Sequence, residues 1–193
     1  MSEKDQTRGR GEVGRPDMPG YGIRPDEEGI LPWSFVDERM ANAFNYWVST
    51  TRPDGRPHAT PVSGVWIDGG FYFGMGPGSR KARNLAKNPH LVVHPESGDE
   101  VVILEGAAEE VADPASLDGA LRAKYGMETG DVEDVWYAVR PVVAFAWVKS
   151  DFHKSATRWR FRWGVPQPEE ARVRSRNDAN RGQSRPNMHG RPG

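Results

Sequence analysis

Residues 46–74 read YWVSTTRPDGRPHATPVSGVWIDGGFYFG, and they carry the clearest signal of architecture in the chain. Tyr46 to Thr51 is aromatic and β-branched, the composition of a strand. Arg52-Pro53-Asp54-Gly55 places Pro and Gly where a tight turn needs them, and the chain returns through Arg56 to Ile67 as the second arm of a hairpin. A further turn at Asp68-Gly69-Gly70 leads into Phe71–Gly74, a third strand expected to pair with the second.

Upstream, Ser34 followed by Asp37 has the spacing of a capping box, with Val36, Met40, Ala43 and Phe44 at helical intervals behind it. Downstream, Gly74-Met75-Gly76-Pro77-Gly78 suits neither strand nor helix. Ser79 is placed as an N-cap, and a helix runs from Arg80 to Asn88 until Pro89 stops it. Leu91–His94, Val101–Val111, Val142–Val148 and Thr157–Trp163 read as strands, while Asp113-Pro114 opens a helix that continues to about Tyr125 and ends at Gly126. About seven strands with three short helices, linked mostly by hairpin turns, predict a mainly β, antiparallel barrel with helices at its margins rather than a doubly wound parallel sheet.

Composition sets the domain boundaries. The chain has 193 residues, a net charge of −1 and 36% hydrophobic residues, with a mean hydropathy of −0.73, which is low for a chain that is compact throughout. Residues 1–29 are rich in Gly and charge, and residues 164–193 are rich in Arg with almost no large apolar side chain. Both ends are therefore expected to be disordered tails around one domain at 30–163, which holds every Trp and Phe. The absence of Cys excludes disulfides, thiolate metal sites and cysteine nucleophiles. It also fits a reducing compartment. No secretory signal and no apolar run of membrane-spanning length is visible, so a cytoplasmic protein without a membrane partner is expected. The near-neutral charge balance does not indicate nucleic acid as a partner.

The segment Ser79-Arg80-Lys81-Ala82-Arg83-Asn84-Leu85 carries the chemistry. A helix N-terminus exposes unpaired N–H groups and the positive end of the dipole, and here a hydroxyl and three cations crowd the same turn. Those cations oppose the dipole. Either a solvated basic helix end is tolerated, or an anion compensates it, and the preceding glycine loop, which allows close backbone approach, favours phosphate. The spacing is not that of a Walker loop.

Taken in order, Gly55-Arg56-Pro57-His58-Ala59-Thr60-Pro61-Val62, Phe71-Tyr72-Phe73-Gly74, Ser79-Arg80-Lys81-Ala82-Arg83-Asn84-Leu85-Ala86, Asn88-Pro89 and Glu105-Gly106 resemble the pyridoxamine 5'-phosphate oxidase-like flavin and deazaflavin oxidoreductases. The resemblance implies a split β-barrel of six to seven strands and a homodimer that binds FMN or the deazaflavin coenzyme F420 at its interface. It puts the phosphate-binding pair on Arg80 and Lys81, with Ser79 at the cap and Asn84 nearby. The ring would lie along Thr60, Pro61 and Val62 and touch the strand end at Gly74 and Met75, and Arg158 and Trp159 would reach the site late in the chain, from either subunit. The sequence departs from true pyridoxamine-phosphate oxidases in the substrate-holding residues expected after Tyr125, in a Gln replaced near Val101, and in the last strand, Arg158-Trp159-Arg160-Phe161-Arg162, which lacks a His. The vitamin-salvage reaction is therefore disfavoured.

The resemblance and the residues together predict an enzyme that transfers a hydride between reduced F420 and a small conjugated organic substrate. Arg83 and Arg158 would supply extra cations for the acidic tail of the deazaflavin. The alternatives are an FMN-dependent oxidoreductase of the same family, and a non-enzymatic barrel that binds a flavin or a tetrapyrrole. No side chain is assigned as acid or base. His58, His90, His94 and His153 show no metal-ligand spacing, so no metal is expected. His58 is read as a solvent-facing strand residue, and Trp147, Trp159, Phe161 and Trp163 as core or interface anchors.

Overall fold

The computed structural model of the protein describes residues 11–131 and 133–162. Nine strands are formed: β1 (Gly11–Gly14), β2 (Tyr46–Thr51), β3 (Pro57–Val62), β4 (Val65–Ile67), β5 (Gly70–Met75), β6 (His90–Pro95), β7 (Glu100–Glu110), β8 (Val135–Val148) and β9 (Thr157–Phe161). Four helices accompany them: α1 (Trp33–Asn42), α2 (Arg80–Leu85), α3 (Asp118–Tyr125) and α4 (Phe152–Ser155). All strand pairs are antiparallel, in the order β1-β9-β8-β7-β6-β2-β3, with β4 on β5 and β5 on β8. The long strand β8 explains the fork. Its first half pairs with β5 from Val135 to Val139, and its second half pairs with β9 from Val143 to Ala146, while β7 runs along its other edge. The result is a split, unclosed barrel, as the family resemblance implies.

The two turns flanking β3 and β4 form as expected. Asp68 (φ 49°) and Gly69 (φ 76°) make the two-residue turn between Ile67 and Gly70, a geometry that favours Asp-Gly because both central residues need positive φ. The second arm of the predicted hairpin divides at Ser63-Gly64 into β3 and β4, and β5 pairs with the β4 half. Gly64 is required there, because a Cβ would lie 2.5 Å from the Phe71 ring. Tyr46, Phe71, Phe73, Met40, Val93 and Leu104 fill the interior, with Tyr46 and Phe71 at 4.5 Å between ring centroids.

Several expectations change. The helix at α1 begins after Pro32, without a side-chain cap; Asp37, assigned to the capping box, instead accepts a hydrogen bond from Trp66 Nε1 at 2.9 Å. The strand expected to start at Val142 starts at Val135. Pro141 masks that continuation in the sequence, because a proline cannot donate within a ladder. The structure places it at a bulge, where Glu105 pairs with Val143 and Gly106 with Pro141, so that Val142 has no partner across the ladder. A Cβ on Gly106 would sit 2.5 Å from the Arg140 carbonyl oxygen, which confines this crossing to glycine.

The N-terminal boundary also shifts. Residues 11–14, predicted within a disordered tail, form β1 against β9, pairing Val13 with Trp159. Arg15 fastens the segment that follows by donating to the carbonyl oxygens of Asp26 at 2.8 Å, Glu28 at 2.7 Å, Ala156 at 3.0 Å and Lys154. Backbone pairing of this kind leaves no apolar signature, which is why composition misses it. Trp163 and residues 164–193 lie outside the described residues. Among the described residues, no helix is long and apolar enough to cross a membrane.

Candidate functional site

The pairing of β5 with β8 sets Gly74 opposite Trp136 and Met75 opposite Val135. A Cβ on Gly74 would lie 2.9 Å from the indole and 3.1 Å from Asp134 Oδ2, so only glycine lets β5 pack this closely against the Trp136 ring. Beside this contact lies a cleft of about 320 Å³. Pro61 and Val62 from the end of β3, Gly74 and Met75 from the end of β5, and Lys81 from α2 all line it. Five of the residues assigned to cofactor binding from sequence thus meet at one cavity, although they are spread over three elements.

The rest of the lining, Ser63, Gly76, Leu121, Met127, Asp134 and Trp136, is not among the residues assigned from sequence. Trp136 packs against Val65, Leu117 and Leu121, so α3 supports the indole from behind. The alternation of apolar residues at Val135, Tyr137 and Val139 was a usable strand signal; Pro141 obscured it.

A cluster of positive charge reaches the cleft through Lys81. Ser79 caps α2 as predicted, its Oγ accepting from Ala82 N at 3.2 Å. The helix spans only Arg80–Leu85, however, not Arg80–Asn88, and attraction for an anion therefore rests on side chains more than on a macrodipole. Arg80 is exposed and Lys81 half-buried. His58 is held below the usual histidine range, first by burial and then by the positive charges of Arg52, Arg80 and Lys81, which places these four groups in one electrostatic cluster. His58 Nδ1 and Arg52 Nε are both shielded from solvent without a hydrogen-bond partner. The expected solvent-facing role of His58 is corrected accordingly: the ring is half-buried, and its neighbours are cations.

Five of the assigned residues separate from the cleft. Asn84 is 0% exposed and donates to Thr50 Oγ1 at 2.9 Å, an interior position behind α2. Arg83 donates to the Gly78 carbonyl oxygen at 2.6 Å and so braces the glycine loop. Arg158 and Trp159 sit on β9, between β1 and β8; Trp159 is 5% exposed and meets Trp33 edge-on at 5.4 Å. Neither lines the cleft. Thr60 lies next to Pro61 with its hydroxyl 3.4 Å from the Pro61 carbonyl oxygen, beside the cavity rather than in it.

Behind Ser63, Lys124 Nζ donates to Tyr46 Oη at 2.7 Å and to the Gly64 carbonyl oxygen at 3.0 Å. Burial lowers its pKa to about 8 and raises that of Tyr46. Tyr125 Oη accepts from Gly64 N at 3.1 Å and donates to the Phe44 carbonyl oxygen at 2.6 Å. The group pins α3 to the β3–β4 junction.

Comparison with known proteins agrees with this architecture. Residues 36–155 match the family model described as pyridoxamine 5'-phosphate oxidase. Similar solved structures include a conserved hypothetical protein from Mycobacterium tuberculosis, 22% identical with a TM-score of 0.56, covering 65% of this chain and 90% of that one. They also include a putative 5-nitroimidazole antibiotic resistance protein from Bacteroides thetaiotaomicron, 13% identical with a TM-score of 0.50, covering 77% and 88%. An F420 reductase is 22% identical with a TM-score of 0.48, covering 56% and 94%. No curated protein matches the chain by sequence. With the family model spanning well over half of its length, and with a split antiparallel barrel to match, the chain belongs to the pyridoxamine 5'-phosphate oxidase family.

Proposed function

We propose that the protein is an oxidoreductase that transfers a hydride between reduced coenzyme F420 and a small conjugated organic substrate, with FMN as the alternative cofactor. The observation that carries this reading is a cleft lined by Pro61, Val62, Gly74 and Met75 that shares Lys81 with a cluster of positive charge made with Arg52, His58 and Arg80. The residues fit such a cofactor. Gly74, confined to glycine by the Trp136 ring, gives the cleft a wall of bare backbone, and the unpartnered His58 Nδ1 and Arg52 Nε lie within a positive field suited to a phosphate.

When bound, the cofactor supplies the redox chemistry, and the protein supplies binding, orientation and shielding from water. Arg80 and Lys81 would hold the phosphate, and the β3 backbone at Thr60 to Val62 would lie along the ring. The additional cation that favours a more acidic cofactor is Arg52, since Arg83 is engaged with Gly78. A homodimer and a cytoplasmic setting complete the proposal. Val142, 47% exposed at the β7–β8 bulge, borders an apolar groove on the outer sheet face where a second copy would dock.

The test is a visible spectrum of protein purified from a host that makes FMN but not F420, followed by titration with each cofactor. Colourless protein that binds F420 more tightly than FMN supports the reading; stoichiometric bound FMN moves the assignment to the flavin alternative. Tight binding without turnover by any added acceptor identifies a binding protein instead. Arg80→Ala and Lys81→Ala should each weaken cofactor binding by about 1.5–3 kcal/mol, the range for a charge-assisted hydrogen bond, and unchanged affinity in both would refute the phosphate assignment.

A further inference from the structure

Met127 differs from Met40 and Met75 in its access to solvent. Met40 and Met75 are 0% and 2% exposed, whereas Met127 is half-buried and lines the cleft. It also packs against the cluster of Val65, Leu117, Leu121 and Trp136. The backbone on both sides of it is fixed. Gly126, with a φ of 70°, ends α3 and donates its N–H to the Arg122 carbonyl oxygen at 3.0 Å. Beyond Met127, Glu128 pairs with Arg122, and Thr129 donates to Asp118 Oδ1 from both its N–H and its hydroxyl, each at 2.8 Å. The segment after α3 is thus clasped back onto the helix, with Met127 at the centre of the clasp.

We propose that Met127 is a site of reversible oxidation, at which hydrogen peroxide converts the thioether to the sulfoxide and so weakens ligand binding in the cleft. A sulfur lone pair attacks one peroxide oxygen; the S–O bond forms as the O–O bond breaks, the sulfur loses two electrons, and the second oxygen leaves as water. The product is polar where the thioether was apolar. A sulfoxide oxygen has no donor to meet among Val65, Leu117 and Leu121, and burying it there unpaired is unfavourable. The side chain therefore turns away from the cluster. Because the clasp holds the backbone on either side, the side chain cannot leave with its loop, and the volume beside it is the cleft. The effect on binding rests on the reading of the cleft as the ligand site of an oxidoreductase; the oxidation itself does not.

The full chain is treated with hydrogen peroxide and mapped by mass spectrometry at intervals. Met127 should gain one oxygen about tenfold faster than Met40 or Met75, which react only when the fold opens. The binding probe is whichever of FMN and F420 the untreated protein holds more tightly. Oxidised protein should bind it about tenfold more weakly, the scale set by an unpaired polar group against an apolar wall, and methionine sulfoxide reductases acting on both epimers should restore the untreated affinity. Met127→Leu keeps the apolar bulk without the sulfur, so whatever affinity it starts with should survive peroxide; an effect of any other methionine would appear in this variant as well. The proposal is overturned if Met127 oxidises no faster than Met40 and Met75, if oxidised protein keeps its full affinity, or if Met127→Leu loses as much affinity in peroxide as the natural chain. Failure of untreated protein to bind either cofactor removes the oxidoreductase reading instead. The cleft is then followed by intrinsic tryptophan emission, to which Trp136 contributes: peroxide should change it in the natural chain and not in Met127→Leu, and equal behaviour of the two overturns the proposal.

Discussion

The side-chain amide of Asn84 donates to the hydroxyl of Thr50 at 2.9 Å, tying α2 to β2 within the interior. Neither side chain exposes more than 3% of its surface. The basic residues on α2 owe their position to this contact, since the six-residue helix is too short to be stable by itself. Asn84→Ala leaves Thr50 without its donor and should lower stability by about 1–3 kcal/mol, seen as a reduced urea midpoint. Cofactor affinity, measured under conditions where the variant is folded, should fall less than in Arg80→Ala. A variant of unchanged stability that has lost cofactor binding would return Asn84 to the binding surface.

His58 should report on the cation cluster. Its proton affinity is lowered by burial and by Arg52, Arg80 and Lys81, so in the free protein it stays neutral at pH values where an ordinary histidine is half protonated. An anion seated among those cations offsets their field and should raise the His58 pKa. By linkage, the anion then binds more tightly as the pH falls below the ordinary histidine value. The sign for folding follows the same rule: the unfolded chain binds more protons in this range, so stability declines as pH falls from 6.5 through the folded-state value. An NMR titration of the His58 ring with and without inorganic phosphate measures the shift, and Arg80→Gln should raise the free-protein value in the same direction.

Lys124 predicts a second pH effect, again from burial, at higher pH. Burial lowers its pKa from 10.5 to about 8, so between those values the unfolded chain carries the extra proton and stability rises with pH. Tyr46 counters this above pH 10, because its raised pKa keeps it protonated in the fold while the unfolded tyrosine ionises. Stability should therefore rise from about pH 8 toward pH 10 and then fall. Lys124→Met should abolish the rising limb and keep the falling one, as read from denaturant midpoints across that range.

The sequence was most legible where chemistry is local. Asp68-Gly69 and Ser79 act through their own turn or helix end, and both appear where expected. Apolar strands with clean turn residues at each end, such as Tyr46–Thr51, were equally readable. Legibility ends where long-range pairing decides. Pro141 argues locally against a continuous strand, and only the bulge opposite Glu105 and Gly106 across the ladder accommodates it. Pro61, Gly74 and Lys81 meet at one cleft, and Trp136 in the first half of β8, with Asp134 just before that strand, completes its lining from a stretch whose strand character Pro141 obscures. Arg158 and Trp159 show the converse: the strand was identified, but its place beside β1 turns Trp159 toward Trp33.

The N-terminal strand offers the sharpest test of what composition overlooked. Arg15 donates to four carbonyl oxygens on two separate stretches, one of them at Lys154 and Ala156 just before β9. A lysine at this position carries the same charge but lacks the planar fork that reaches both stretches at once. Arg15→Lys should therefore release residues 11–29 almost as fully as Arg15→Ala, a distinction that a purely electrostatic tether would not produce. Hydrogen exchange supplies the measurement: amides of Gly11–Gly14 should lose protection in both variants, while those of β7, shielded by β6 and β8, keep theirs. Retained protection at β1 in Arg15→Lys would mean that charge, rather than fork geometry, secures the segment.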